Sequence, residues 1–154
     1  ITRIGIPVVA HIGLLPQTAG LDGGYRVQGK DEAAVRQLMA DAQAVVAAGA
    51  FAVVIELVGA ELAGRITAST PIPTIGIGAG VECDGQVLVA PDMLGMDERF
   101  RPRFLKTYSD LSGTITAAFS AYASDVRTRA YPDAAHSFKT PPAALAVLDE
   151  DDIE

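Results

Sequence analysis

Thiols are almost absent from this chain: one cysteine, Cys83, in 154 residues. A single thiol excludes an internal disulfide and a zinc cluster built on thiolates. Positive charge is also scarce. Twelve Lys and Arg against nineteen Asp and Glu leave a formal net charge of −7 and a pI near 4.7, which argues against binding nucleic acid through its phosphate backbone. Part of the acidity is concentrated in DEDDIE (149–154), so the remainder is closer to neutral. No stretch approaches the roughly 18 consecutive apolar residues of a membrane span, and no signal-peptide pattern opens the chain. The expectation is a soluble, cytoplasmic protein that binds neither nucleic acid nor membrane. The chain starts on Ile1 and reaches its first apolar run almost at once, which predicts a fragment or a processed product.

What is present is apolar residues, 49% of the chain, enough for one core. They fall into short runs separated by helical patterns. Residues 7–12, 51–57, 73–77 and 86–90 read as strands, each nearly continuous in Val, Ile and Ala, as in parallel strands buried on both faces. Asp31 is placed to cap a helix, Val35, Leu38, Met39, Ala42, Val45 and Val46 follow at helical spacing, and Gly49 stops it. Residues 60–68 predict a shorter helix. Residues 102–128 predict a long one, with Phe104, Tyr108, Leu111, Ile115, Phe119, Tyr122 and Val126 as an apolar stripe for core or interface. Residues 139–154 read as a weakly ordered acidic tail. Strand–helix repeated four times implies a parallel α/β sheet with right-handed crossovers. Four units make either a small doubly wound sheet or half of an eight-stranded barrel, whose complete form takes about 250 residues.

Two of the apolar runs carry one ionisable group each, His11 and Glu56. The carboxyl ends of parallel strands are where α/β proteins place chemistry. His11 is either a satisfied core histidine or a functional one. Glu56 has apolar neighbours on both sides, and a carboxylate is seldom buried without a partner or a task. It is either a general acid–base group or half of a structural pair with Arg or Lys. GIGAG (76–80) is a glycine loop that lets backbone approach an anionic group, and it makes Gly76 and Gly78 pocket candidates. It lacks the spacing of a nucleotide motif. Asp92 follows the fourth strand and could face the same opening, whereas Asp84 reads as a turn residue. Residues 23–30 belong to the longest loop, a candidate lid. Cys83 has no adjacent base and reads as structural.

The segments GIPVVAHIGLLPQ, GGYRVQGKDE, AGAFAVVIE, IPTIGIGAG, CDGQVLV and HSF (136–138), in this order, resemble the ketopantoate hydroxymethyltransferase family across about residues 4–138. The resemblance implies a (β/α)8 TIM barrel of the phosphoenolpyruvate/pyruvate type, of which residues 1–138 supply about the last four βα units. It implies transfer of a hydroxymethyl group from 5,10-methylenetetrahydrofolate to 3-methyl-2-oxobutanoate, giving 2-dehydropantoate for pantothenate synthesis. It further implies a Mg²⁺ ion that acidifies the keto acid, and a homo-oligomer, commonly a decamer. On the matching motifs, Glu56 is the proton acceptor and His11 lines the substrate pocket. The family's metal ligands are expected upstream of Ile1, so no metal residue is assigned and the chain alone is expected to be inactive. Three departures stand out: Gly59 for a usual proline, TAG (18–20) for SVN, and Pro91 for the histidine before Asp92. The alternatives are another keto-acid lyase or transferase on the same scaffold, and a non-catalytic half-barrel that serves as an interaction module.

Overall fold

The computed structural model describes residues 1–17, 19–20, 24–99 and 101–146; Thr18 and the acidic run 149–154 singled out above lie outside these. The chain forms two compact units, Ile1–Ser109 and Asp110–Glu154.

The first unit is a four-stranded parallel sheet in the order β1-β2-β3-β4, with β1 at Val9–Gly13, β2 at Ala52–Glu56, β3 at Thr74–Ile77 and β4 at Gly85–Gln86. Helix α1 (Glu32–Ala47) crosses from β1 to β2, and α2 (Ala60–Ser69) from β2 to β3. The start of α1 is fixed by chemistry. Asp31 adopts extended backbone and its side chain accepts a hydrogen bond from Ala34 N at 2.8 Å, satisfying one of the orphan amides of the first turn. At the other end Gly49 takes a φ of +87°, and the Gly49 and Ala50 amides close onto the Val46 and Val45 carbonyls. Asp31→Ala is expected to lower stability by about 1 kcal/mol, measured as a shift of the urea midpoint at constant slope.

Side chains alternate across a strand, so register sorts the residues. Ile12, Val53 and Ile55 share the face covered by helices and pack with Leu38, Ala42, Leu62, Ala63 and Ile66, all buried. The opposite face carries Val9, His11, Val54, Glu56, Ile75 and Ile77. It stays exposed at Val9 and His11 and half-buried at Val54, Ile75 and Ile77.

Two elements differ from expectation. The strand expected at 86–90 pairs with β3 only at Gly85 and Gln86, and the chain then enters a short helix, α3 (Ala90–Met93), with Pro91 in its first turn. No helix separates β3 from β4. Instead the connecting loop is tied back to the start of β3: the Asp84 carboxylate accepts from Thr74 N (2.8 Å) and Thr74 Oγ1 (3.0 Å), while Asp84 N donates to Thr74 Oγ1 (3.1 Å). Thr74 is fully buried beneath this clamp. The hydrogen bonds from the Thr74 amide and hydroxyl hold the Asp84 carboxyl below the usual carboxylate range. The folded state therefore favours the ionised form, and the stabilisation is present above the unfolded carboxyl pKa of about 3.9 and is lost as pH falls through the lower folded value. Asp84→Ala should reduce the unfolding midpoint at pH 7, and its difference from the parent should narrow in acid as the Asp84 carboxyl takes up its proton.

The second unit is built on α4 (Leu111–Thr128). This helix starts nine residues later than the expected 102, so Phe104 and Tyr108 are not on its stripe. Within the described chain Phe119 and Tyr122 are exposed and none of the α4 residues is buried. After the helix, Tyr131 meets the Tyr122 ring edge-on and the His136 ring at a tilt. Asp133 caps a short turn, Ala134–His136, accepting from two backbone amides and lying 2.6 Å from His136 Nδ1. In the expected tail, Pro142–Leu145 forms one helical turn, α5.

Candidate active site

Glu56 is the last residue of β2, and the chain bends sharply after it. Leu57 has a φ of +49°, a left-handed conformation that a branched side chain adopts only when its surroundings impose it. Those surroundings are specific. Leu14 N donates to Glu56 O at 2.8 Å, Leu57 N donates to Ile77 O at 2.9 Å, and Gln28 N donates to Leu57 O at 2.7 Å. Neighbouring strands and the long loop thus hold the backbone on both sides of the carboxylate.

His11 stands on the same face of the sheet, two positions back in register. Its Nε2 lies 3.1 Å from Glu56 Oε2. Glu56 is 8% exposed, whereas the His11 side chain keeps 34% of its surface. The partner of the buried carboxylate is therefore an imidazole rather than an Arg or Lys, and the pair is open to solvent on the histidine side. A carboxylate shielded by apolar strands and held by one neutral or cationic ring can take up a proton from a carbon acid seated beside it.

The other candidates separate. Gly78 (φ +64°) follows β3 and lines a cleft at the carboxyl end of the sheet. Gly76 does not. The two-residue period turns it to the helix-covered face, where a Cβ would meet Cys83 Sγ at 3.0 Å, so its role is to admit the buried thiol. Cys83 belongs to the core, as expected. Asp92 sits half-buried in α3 and is not among the residues lining the cleft.

That cleft encloses about 850 Å³. Its wall combines the residues after Glu56, Leu57 and Val58, with Glu61 of α2 and a segment carrying Arg103, Phe104, Lys106 and Tyr108. The sequence reading missed this last segment by assigning it to the long helix. The signal that would have found it is Ser109–Asp110, a polar pair placed before Leu111 as an N-terminal boundary.

Parallel strands, covering helices on one face and a buried carboxylate paired with a histidine on the other define an α/β protein with a parallel sheet. The sequence profile of the ketopantoate hydroxymethyltransferase family matches residues 1–134. The 3-methyl-2-oxobutanoate hydroxymethyltransferase of Moorella thermoacetica is 55% identical over 139 residues, covering 90% of this chain and 52% of that protein. The proteins of the same name from an Anaeromyxobacter species and from Cenarchaeum symbiosum are 50% and 52% identical, over 100% and 90% of the chain and 52% and 53% of their own lengths. The chain belongs to the ketopantoate hydroxymethyltransferase family, and it spans about half the length of the curated relatives it matches. No helix among the described residues is long and apolar enough to cross a membrane.

Proposed function

We propose that this chain supplies the proton acceptor of a 3-methyl-2-oxobutanoate hydroxymethyltransferase. Glu56 takes the C3 proton of the keto acid. A new bond then joins C3 to the one-carbon unit of 5,10-methylenetetrahydrofolate, whose bonds to the folate nitrogens break. Water provides the hydroxyl oxygen, the folate nitrogens regain protons, and 2-dehydropantoate and tetrahydrofolate leave. The observation that carries this reading is the buried Glu56 carboxylate paired with His11 at 3.1 Å on the accessible face of the sheet. His11 orients the carboxylate and offers its exposed edge to the substrate.

The four strands would form an arc of a (β/α)8 barrel, with their accessible face turned to the barrel interior. Residues 1–138 would be its later half, in a cytoplasmic homo-oligomer. The described residues do not fit the Mg²⁺ ion that the resemblance implies. Magnesium requires near-octahedral oxygen coordination, while His11 and Glu56 engage each other, and no group of three or more His, Cys, Asp or Glu converges among the described residues. No step assigned to this chain runs through the metal.

The test is product formation. Chain 1–154, co-purified with the remaining half of the Moorella thermoacetica relative, is expected to form 2-dehydropantoate from 3-methyl-2-oxobutanoate, detected by NMR, and chain 1–154 alone to form none. Turnover of pyruvate or oxaloacetate in place of 3-methyl-2-oxobutanoate would move the assignment to another keto-acid enzyme.

A further inference from the structure

We propose that Leu57 is a positioning residue for the Glu56 carboxylate: packing against Leu14, Ala19 and Phe104 locks its left-handed turn, and the lock sets the rate of proton removal. This rests on the function proposed above and names the residue through which the surrounding loops act on the base.

The turn departs from what the strand dictates. Side chains alternate along β2, and Val53 and Ile55 both enter the core under the helices. Continuing that period would send Leu57 there as well. Its φ of +49° breaks the alternation. Val58 takes the next place in the helix-covered core, and Leu57 joins a second buried cluster with Leu14 and Ala19, against which Phe104 packs. The left-handed region is unfavourable for a residue with a Cβ, so its surroundings must hold it there.

Backbone and side chain hold it separately. The Leu57 amide donates to Ile77 O at 2.9 Å, and the Leu57 carbonyl accepts from Gln28 N at 2.7 Å. Any residue at this position could make those two bonds. The side chain adds the rest. It is buried, and its neighbours come from the loop after β1, from the glycine turn after β3 and from Phe104. A Cβ on Gly78 would meet Leu57 Cδ2 at 3.1 Å and the Phe104 ring at 3.0 Å, so the glycine admits both side chains. Glu56 directly precedes the turn, with its carboxylate 3.1 Å from His11 Nε2. Rotation at Leu57 therefore passes straight into the backbone that aims the base. A displacement of about 1 Å at a reacting group can cost about 10²-fold in rate.

The experiment follows exchange of the C3 hydrogen of 3-methyl-2-oxobutanoate in D₂O by NMR, using the complemented enzyme without folate. Rates across keto-acid concentrations are normalised to the folded fraction by circular dichroism. Leu57→Ala should lower the maximal exchange rate by about 10- to 100-fold, with the keto-acid KM changed less than about threefold. Leu57→Gly should be several-fold faster than Leu57→Ala, because glycine enters the left-handed region freely. A role in packing alone would not make the smaller side chain the faster one. Leu57→Met, similar in volume, should stay within about threefold of the parent. Phe104→Ala should slow exchange by about tenfold through the same cluster. Ile66→Ala removes a buried side chain from the helix-covered core and should leave the normalised rate unchanged.

Parental exchange by Leu57→Ala, a glycine variant no faster than the alanine variant, or an equal loss in Ile66→Ala would overturn the proposal. If Leu57→Ala does not fold, Phe104→Ala decides, and its exchange at the parental rate would overturn the proposal. Failure of the functional reading looks different. An inert Glu56→Gln enzyme beside a fully active Leu57→Ala enzyme removes the positioning role and keeps the function. Exchange by Glu56→Gln at the parental rate removes the function, and the positioning role with it.

Discussion

Replacing Glu56 by Gln should lower kcat of the complemented enzyme by about 10²- to 10⁴-fold, the usual contribution of a positioned general base. The change in KM for 3-methyl-2-oxobutanoate should be small. Gln keeps the size of the side chain and retains a carbonyl oxygen to pair with His11 Nε2, which lies 3.1 Å from the native carboxylate. The amide has no useful basicity, so the loss falls on the chemical step and not on the fold. Steady-state kinetics across keto-acid concentrations separates the two parameters. A variant retaining more than a tenth of parental kcat would remove Glu56 from the role of proton acceptor.

The largest effect on stability is expected at Gly13, where β1 meets β2. Its φ of +89° lies in the region that L-residues avoid. An added Cβ would overlap the Glu56 carbonyl oxygen and approach Val58 Cγ2 to 2.8 Å. The carbonyl cannot retreat easily because it accepts the Leu14 amide at 2.8 Å. Gly13→Ala therefore combines backbone strain with overpacking, and about 3 kcal/mol or more of stability should be lost. Gly20→Ala is the matched control. No atom lies within 4 Å of its added Cβ, and a change within about 0.5 kcal/mol is expected. Urea unfolding compares them, and equal midpoints would contradict the close join of β1 and β2 that holds Glu56 in place.

Much of the fold was legible because local chemistry and tertiary packing agree. Asp31 and Gly49 bound α1 where capping rules place them, and the apolar run before Glu56 is β2. His11 and Glu56 were legible as polar interruptions of two apolar strands and, from their place at the strand ends, as candidates for one shared pocket; the folded chain brings their side chains to 3.1 Å. The rest depended on partners that the sequence does not display. Residues 86–90 have strand composition, but only Gly85 and Gln86 find a register with β3, and Pro91 then suits a helix start. The stripe on α4 continues by period back through Tyr108 and Phe104, so periodicity alone placed the helix start too early. Gly76 and Gly78 look equivalent in GIGAG, and only the alternation of side chains sends one to Cys83 and the other to the cleft. The cleft itself draws on segments from Val27 to Tyr108, which no local pattern joins.

The most direct test of the central claim is exchange of the C3 hydrogen of 3-methyl-2-oxobutanoate in D₂O, followed by proton NMR with no folate present. Chain 1–154 complemented with the remaining half of its relative should exchange this hydrogen, and the Glu56→Gln enzyme should not do so above the solvent rate. Exchange by Glu56→Gln at the parental rate would contradict the account.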